Sequence, residues 1–154
     1  MDLILWRHAE AFDPVEGEDD LLRRLTPKGE KHAARMAHWL DQQLPEGTRI
    51  LCSPAVRTEQ TVKALKRKYK VRDALSPGAS VQDLLETSGW PEVKYPVLLV
   101  GHQPSLGLLV SHVLGMGDVP CAVRKGAVWW LRSRQREGQS HPAVILAVTT
   151  PDKL

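Results

Sequence analysis

Leu3-Ile4-Leu5-Trp6-Arg7-His8-Ala9-Glu10 is an apolar run that ends abruptly on an arginine and a histidine. The run is short and lacks helical spacing, so residues 2 to 7 are expected to form a buried strand. Two later segments are built the same way. Ile50-Leu51-Cys52 leads into Ser53-Pro54-Ala55-Val56-Arg57, and Val97-Leu98-Leu99-Val100 leads into Gly101-His102-Gln103-Pro104. Each run delivers a basic or anion-friendly group just past its carboxyl end, where open α/β sheets bind ligands. The fold class expected is α/β.

Between these strands the sequence supplies helices and loops. Residues 9 to 25 read as a long loop, broken by Pro14 and Gly17 and rich in acids. Thr26-Pro27 then starts a helix, with Thr26 as cap and Pro27 in the first helical position. Ala33, Ala34, Met36, Ala37 and Leu40 give it an apolar face, and Pro45 and Gly47 stop it. Residues 48 to 52 are a second strand. Ser53-Pro54 repeats the cap-then-proline start and predicts a helix to about Lys68. A short strand at 70 to 73, a Pro77-Gly78 turn and a brief helix over 80 to 87 follow. Residues 96 to 100 form a central strand, and Pro104 opens a helix to Leu114. The last third holds two strands, Ala127 to Leu131 and Ala143 to Thr149, joined by a polar turn over Gln135 to Ser140. So short a link makes a hairpin, so the mostly parallel sheet gains an antiparallel C-terminal part. In a strand, Trp129 and Trp130 point to opposite faces.

The bulk properties narrow the class. The 154 residues suffice for one domain with its own core, and the whole chain is read as one. No apolar run reaches membrane-spanning length and the start lacks a leader pattern, so the expected location is cytoplasmic, with no membrane partner. Cys52 and Cys121 form no CxxC, which leaves a zinc site or disulfide framework without support. Lys63, Lys66, Arg67, Lys68, Lys70 and Arg72 fall on several helical faces without interleaved aromatics. They read as a solvated helix end, and no nucleic-acid partner is expected. Glu16, Glu18, Asp19 and Asp20 read as solvated loop acids.

The chemistry rests on four side chains. Neutral imidazole can attack phosphorus, and a guanidinium can hold two phosphoryl oxygens at once. His8, one residue past a strand, has backbone carbonyls near enough to take its second N–H. Arg57, about one turn into a helix capped by Ser53, can lean toward the helix start, where free N–H groups favour an anion. Thr61 shares that face. Gly101 lets a ligand approach the backbone before His102, and a protonated His102 would neutralise charge on a transferring group. A metal between His8 and His102 is disfavoured by the cation at Arg7 and by the lack of a third ligand at familiar spacing. His32, His38, His112 and His141 read as helix-face or loop residues without chemistry.

The segments LWRHAEA, LTPKGE, SPAVRTEQT and VGHQPSLG, in this order, resemble the motifs of the histidine phosphatase superfamily. The likeness runs from about residue 3 to 108. RHAEA in place of the commoner RHGE, and the short chain, resemble its SixA-type phosphohistidine phosphatases. The resemblance implies a three-layer α/β/α sandwich, His8 as nucleophile, Arg7, Arg57 and His102 as the rest of a phosphate pocket, and neither metal nor organic cofactor. Larger members resemble one another in placing an acidic proton donor in an insertion after the second helix. Here that insertion shrinks to about residues 74 to 95, which leaves Glu10, Asp83 and Glu86 as candidate donors.

The reading is a phosphatase working through a transient phosphohistidine on His8, with a phosphohistidine-bearing protein as partner. A phosphohistidine leaving group departs as protonated imidazole, which relaxes the need for an acid. The rivals are a phosphatase for small phosphorylated molecules and a non-catalytic phosphate-reading module, although a pure binder has no need of His8.

Overall fold

Both faces of the first strand are buried, which is why its sequence shows no alternation. The computed structural model describes residues 1–136 and 139–154. In it β1 (Asp2–Arg7) is followed by α1 (Pro27–Gln43), β2 (Arg49–Cys52), α2 (Val56–Lys63), β3 (Lys70–Val71) and α3 (Val81–Ser88). Then come β4 (Val97–Gly101), α4 (Ser105–Val113), β5 (Val128–Arg136) and β6 (Gln139–Thr149). The strands form one sheet in the order β3-β2-β4-β1-β5-β6. From β3 to β1 all neighbours are parallel; β5 and β6 are antiparallel additions beside β1. The chain thus has the α/β fold read from its sequence, with the C-terminal hairpin.

Side chains of β1 and β4 go alternately to two cores. Leu3, Leu5, Val97 and Leu99 face Leu84 of α3 and Leu109 and Val110 of α4. Ile4, Trp6, Leu98 and Val100 face Met36, Ala37 and Leu40 of α1 and Val62 of α2. Each such large side chain, fully removed from water, contributes about 1.5–3 kcal/mol. The Trp pair follows the same alternation: Trp129 lies against the first core, while Trp130 joins the second and meets Trp39 edge-on.

Helix α1 starts as expected: the Thr26 hydroxyl accepts the Gly29 N–H at 3.0 Å and Pro27 opens the helix. Of its expected apolar face, Ala34 is exposed. Helix α2 differs more. It begins at Val56 and ends at Lys63, because Lys66 takes a left-handed φ of 56° that no α-helix accommodates. Ser53 is not its cap; the Ser53 hydroxyl accepts the Ala55 N–H in a turn ahead of the helix. The basic residues after Lys63 therefore lie on a turn and on the edge strand, with Arg67 paired to Asp41. Both hairpin strands run further than expected, into the polar segment, whose residues 137 and 138 lie outside the described residues. Arg132 on the extended part of β5 pairs with the buried Asp2, which also accepts from Trp130 Nε1.

Candidate active site

The parallel register decides where the site forms. Arg7 lies opposite Gly101, and Cys52 opposite Val100, so His8, Ser53 and His102 emerge side by side at the carboxyl edge. The His8 N–H donates to Gly101 O at 3.2 Å and its carbonyl accepts from Gly126 N–H at 2.9 Å. Its backbone is therefore clamped from both sides. The ring Nδ1 donates to the Ala9 carbonyl at 2.7 Å, which leaves Nε2 as the unprotonated nitrogen. The Ala9 N–H in turn donates to the Thr61 hydroxyl, which donates to the Arg57 carbonyl. Thr61 thus ties the turn behind His8 to α2.

Arg57 is 3% exposed, at the second residue of α2. Its Nη1 donates to the Asp20 carbonyl at 2.8 Å and its Nη2 to the Asp20 carboxylate at 3.0 Å. That Nη2 also lies 3.4 Å from His102 Nδ1, and His102 Nε2 is 2.8 Å from the Ser53 hydroxyl. The two histidine rings are 5.4 Å apart. Arg7 donates from Nη1 to the Val123 carbonyl at 3.0 Å. The Nε groups of both Arg7 and Arg57 are buried without a partner. Buried N–H donors are rarely left so, and here they sit beside a cavity.

That cavity, about 270 Å³, is lined by all four residues singled out in the sequence, Arg7, His8, Arg57 and His102. Larger grooves of about 630 and 620 Å³ lie on other faces and touch none of the four. Burial pushes His8 down to about 4, helped by the charges of Arg57 and Arg7, so its ring is neutral at neutral pH. His102 is pushed down to about 3, by burial first and then by His8 and Arg57. The expected positive charge on His102 is therefore not a property of the side chain alone. Only a neighbouring anion could raise it. Among the described residues no group of three or more His, Cys, Asp or Glu is placed to hold a metal ion.

The three candidate acids are not gathered here. Glu10 accepts from the Thr26 hydroxyl at 2.7 Å and lines the adjoining groove. Asp83 closes the cap of its own helix by accepting the Ser80 N–H. Glu86 accepts from Gln82 and lines a groove on the α3–α4 side. The cavity instead includes Asp13, Arg23, Gln103 and Lys125, none of which sequence reasoning selected. Asp20 was read as a solvated loop acid, and its contact to buried Arg57 corrects that reading. The one local signal was its three-residue spacing to Arg23, with which it also pairs at 2.8 Å.

Known proteins share this fold. The model of the histidine phosphatase superfamily (branch 1) matches residues 3–78. Phosphohistidine phosphatase SixA of Escherichia coli is 30% identical over 134 residues, 78% of this chain and 78% of that one. The chain belongs to the histidine phosphatase superfamily. SixA of Nakamurella multipartitia is 27% identical with a TM-score of 0.78, covering 97% of this chain and 95% of that one. A protein histidine phosphatase SixA complexed with tungstate, 24% identical, shares the fold at a TM-score of 0.77 over 99% of both chains. As a histidine phosphatase the protein is a hydrolase of phosphorylated substrates. No described helix is long and apolar enough to cross a membrane.

Proposed function

We propose that this phosphatase removes phosphoryl groups from phosphohistidine on proteins, with His8 as the transient acceptor and residues 1–154 acting as one catalytic domain. The observation that carries the mechanism is the bond from His8 Nδ1 to the Ala9 carbonyl, which reserves Nε2 for attack. The Nε2 lone pair forms a bond to phosphorus while the bond from phosphorus to the substrate imidazole breaks. The substrate imidazole, protonated by solvent on its other ring nitrogen, leaves as neutral imidazole. Water then attacks the phosphorus of phospho-His8, phosphate departs, and the histidine returns to its starting form. Arg7 and Arg57 hold the non-bridging oxygens, and His102 beside them gains a proton as the dianion raises its basicity. Catalysis of this kind consists of positioning and charge stabilisation.

Two features favour phosphohistidine over a phosphate ester. Among the described residues only Asp13 lines the cavity with a carboxylate, and the three acids weighed as donors, Glu10, Asp83 and Glu86, stay outside it. An imidazole leaving group tolerates that better than an alkoxide. Of the stretch between β3 and β4 only Pro77 lines the cavity; the loop carrying Ala11, Asp13, Pro14 and Arg23 supplies the rest of its cover, and the entry it leaves admits a side chain on a partner's surface. The test is a direct comparison of turnover on a phosphohistidine protein and on a panel of sugar phosphates and phosphoserine. Higher kcat/KM on the phosphohistidine protein is expected; the opposite ranking would select a small-molecule phosphatase.

A further inference from the structure

A second groove, about 370 Å³, opens beside the phosphate cavity and shares Arg7 and Lys125 with it. Besides Arg7 and Glu10 at the end of β1, its walls come from three places. Lys28 and His32 stand one helical turn apart at the start of α1, Arg124 and Lys125 at the turn before β5, and Asp152 just beyond β6. The groove thus has four permanent cations, Arg7, Lys28, Arg124 and Lys125, against two carboxylates, Glu10 and Asp152. Among the described residues none of Lys28, Arg124 and Lys125 is ion-paired. Glu10 feels the excess: the Thr26 hydroxyl, Lys28 and Lys125 hold its carboxyl below the usual range. Arg7, whose buried Nε has no partner, lines this groove as well as the cavity.

The turn carrying Arg124 and Lys125 is fixed to the catalytic strand. Gly126 N–H donates to His8 O, Arg7 N–H donates to Ala127 O, and Ala127 N–H closes the turn on Arg124 O. The two cations are therefore displayed at a set distance from His8. The other basic surface of the molecule, along β3, has a simpler explanation, since lysines on an edge strand discourage pairing with other chains. No such need exists beside His8.

We infer that this groove is a subsite for a second anionic group on the substrate. Resting on the phosphohistidine reading, the inference narrows it: the preferred segment carries an acidic side chain within a few residues of the phosphohistidine. The phosphoryl group enters the cavity of His8, and the neighbouring carboxylate lies between Lys28, Arg124 and Lys125. Exposed charge pairs are individually weak and screened by salt. Several acting on one group give a preference of about tenfold, carried by KM because the carboxylate is bound equally before and during the chemical step.

The experiment uses two phosphohistidine peptides of equal length, one with Asp flanking the phosphohistidine and one with Asn. Wild-type protein is expected to favour the Asp peptide about tenfold in kcat/KM, through KM, with the preference fading toward about 0.5 M salt. The double variant Lys28→Glu with Arg124→Glu is expected to bring the ratio to one or invert it. Equal turnover of both peptides by the wild type, or a ratio the double variant does not move, would overturn the subsite while leaving the phosphohistidine reading in place. A variant that loses kcat equally on both peptides would likewise overturn it, by assigning these cations to the reaction itself. Turnover of neither peptide would bring down the phosphohistidine reading together with the subsite.

Discussion

Arg57, buried in the first turn of α2, holds Asp20 of the acidic loop by two bonds, 2.8 Å to its carbonyl and 3.0 Å to its carboxylate. The acid is 48% exposed and the arginine side chain 3%, so the loop supplies the counter-charge that a buried guanidinium requires. The arginine is aimed before any anion arrives, and its Nε stays free. Arg57→Ala is expected to cost about 2–4 kcal/mol of transition-state stabilisation, roughly 30- to 1,000-fold in kcat/KM. Asp20→Asn keeps the carbonyl contact and is expected to lose less than about tenfold. Arg67→Ala, whose partner Asp41 lies far from the cavity, serves as the control and should leave kcat/KM unchanged.

Brief mixing with labelled substrate, followed by denaturation without acid, is expected to leave phosphate on this chain. The adduct should be labile in acid and stable in base, as phosphoramidates are. His8→Ala abolishes the label; His102→Ala slows its formation without abolishing it. Substantial turnover by His8→Ala, or label on another residue, would sink the covalent route.

Stability should carry a histidine signature. The folded values of about 4 for His8 and about 3 for His102 lie below the ordinary 6.5, so the unfolded chain binds more protons in between. The melting temperature is therefore expected to be level above about pH 7 and to fall as the pH drops from 6.5 toward 4. His102→Gln should flatten that slope. A melting temperature independent of pH over this window would contradict the burial of neutral rings.

Gly29 provides a structural test of the support behind His8. A Cβ there would run into the backbone carbonyl of Glu10, which cannot yield as a side chain can. Gly29→Ala is expected to destabilise the fold by about 1–3 kcal/mol, read by denaturant unfolding. It should also lower activity, because Glu10 lies two residues from His8.

Excess chelator is expected to leave turnover unchanged, since Arg7 and Arg57 make the cavity a site for anions. Loss of activity restored by a divalent ion would reverse that expectation.

Most of this site could be read from the chain because the two central strands bury both faces. An apolar run that ends on a polar group marks a strand end, and parallel register then brings such ends together. Ser53-Pro54 misled because it looks identical to Thr26-Pro27, whereas its hydroxyl is used by His102 across the sheet. Asp20 and Arg23 could not be found from spacing alone. Their role depends on how the loop folds back on α2, a contact between residues 37 apart that no local pattern encodes. Lys125 was hidden for the same reason, lying in a turn that reaches His8 only through the pairing of β5 with β1.

The position of β1 in the middle of the sheet also makes its support depend on later parts of the chain. Arg7, His8, Arg57 and His102 all lie within the first 102 residues, yet the groups that fix them arrive later. Arg7 waits for the carbonyls of Val123 and Ala127, and His8 for the N–H of Gly126. A chain that ends before residue 128 holds all four side chains but lacks β5, the strand that closes one side of β1. Arg7 and His8 thus depend for their support on residues that follow them in the chain.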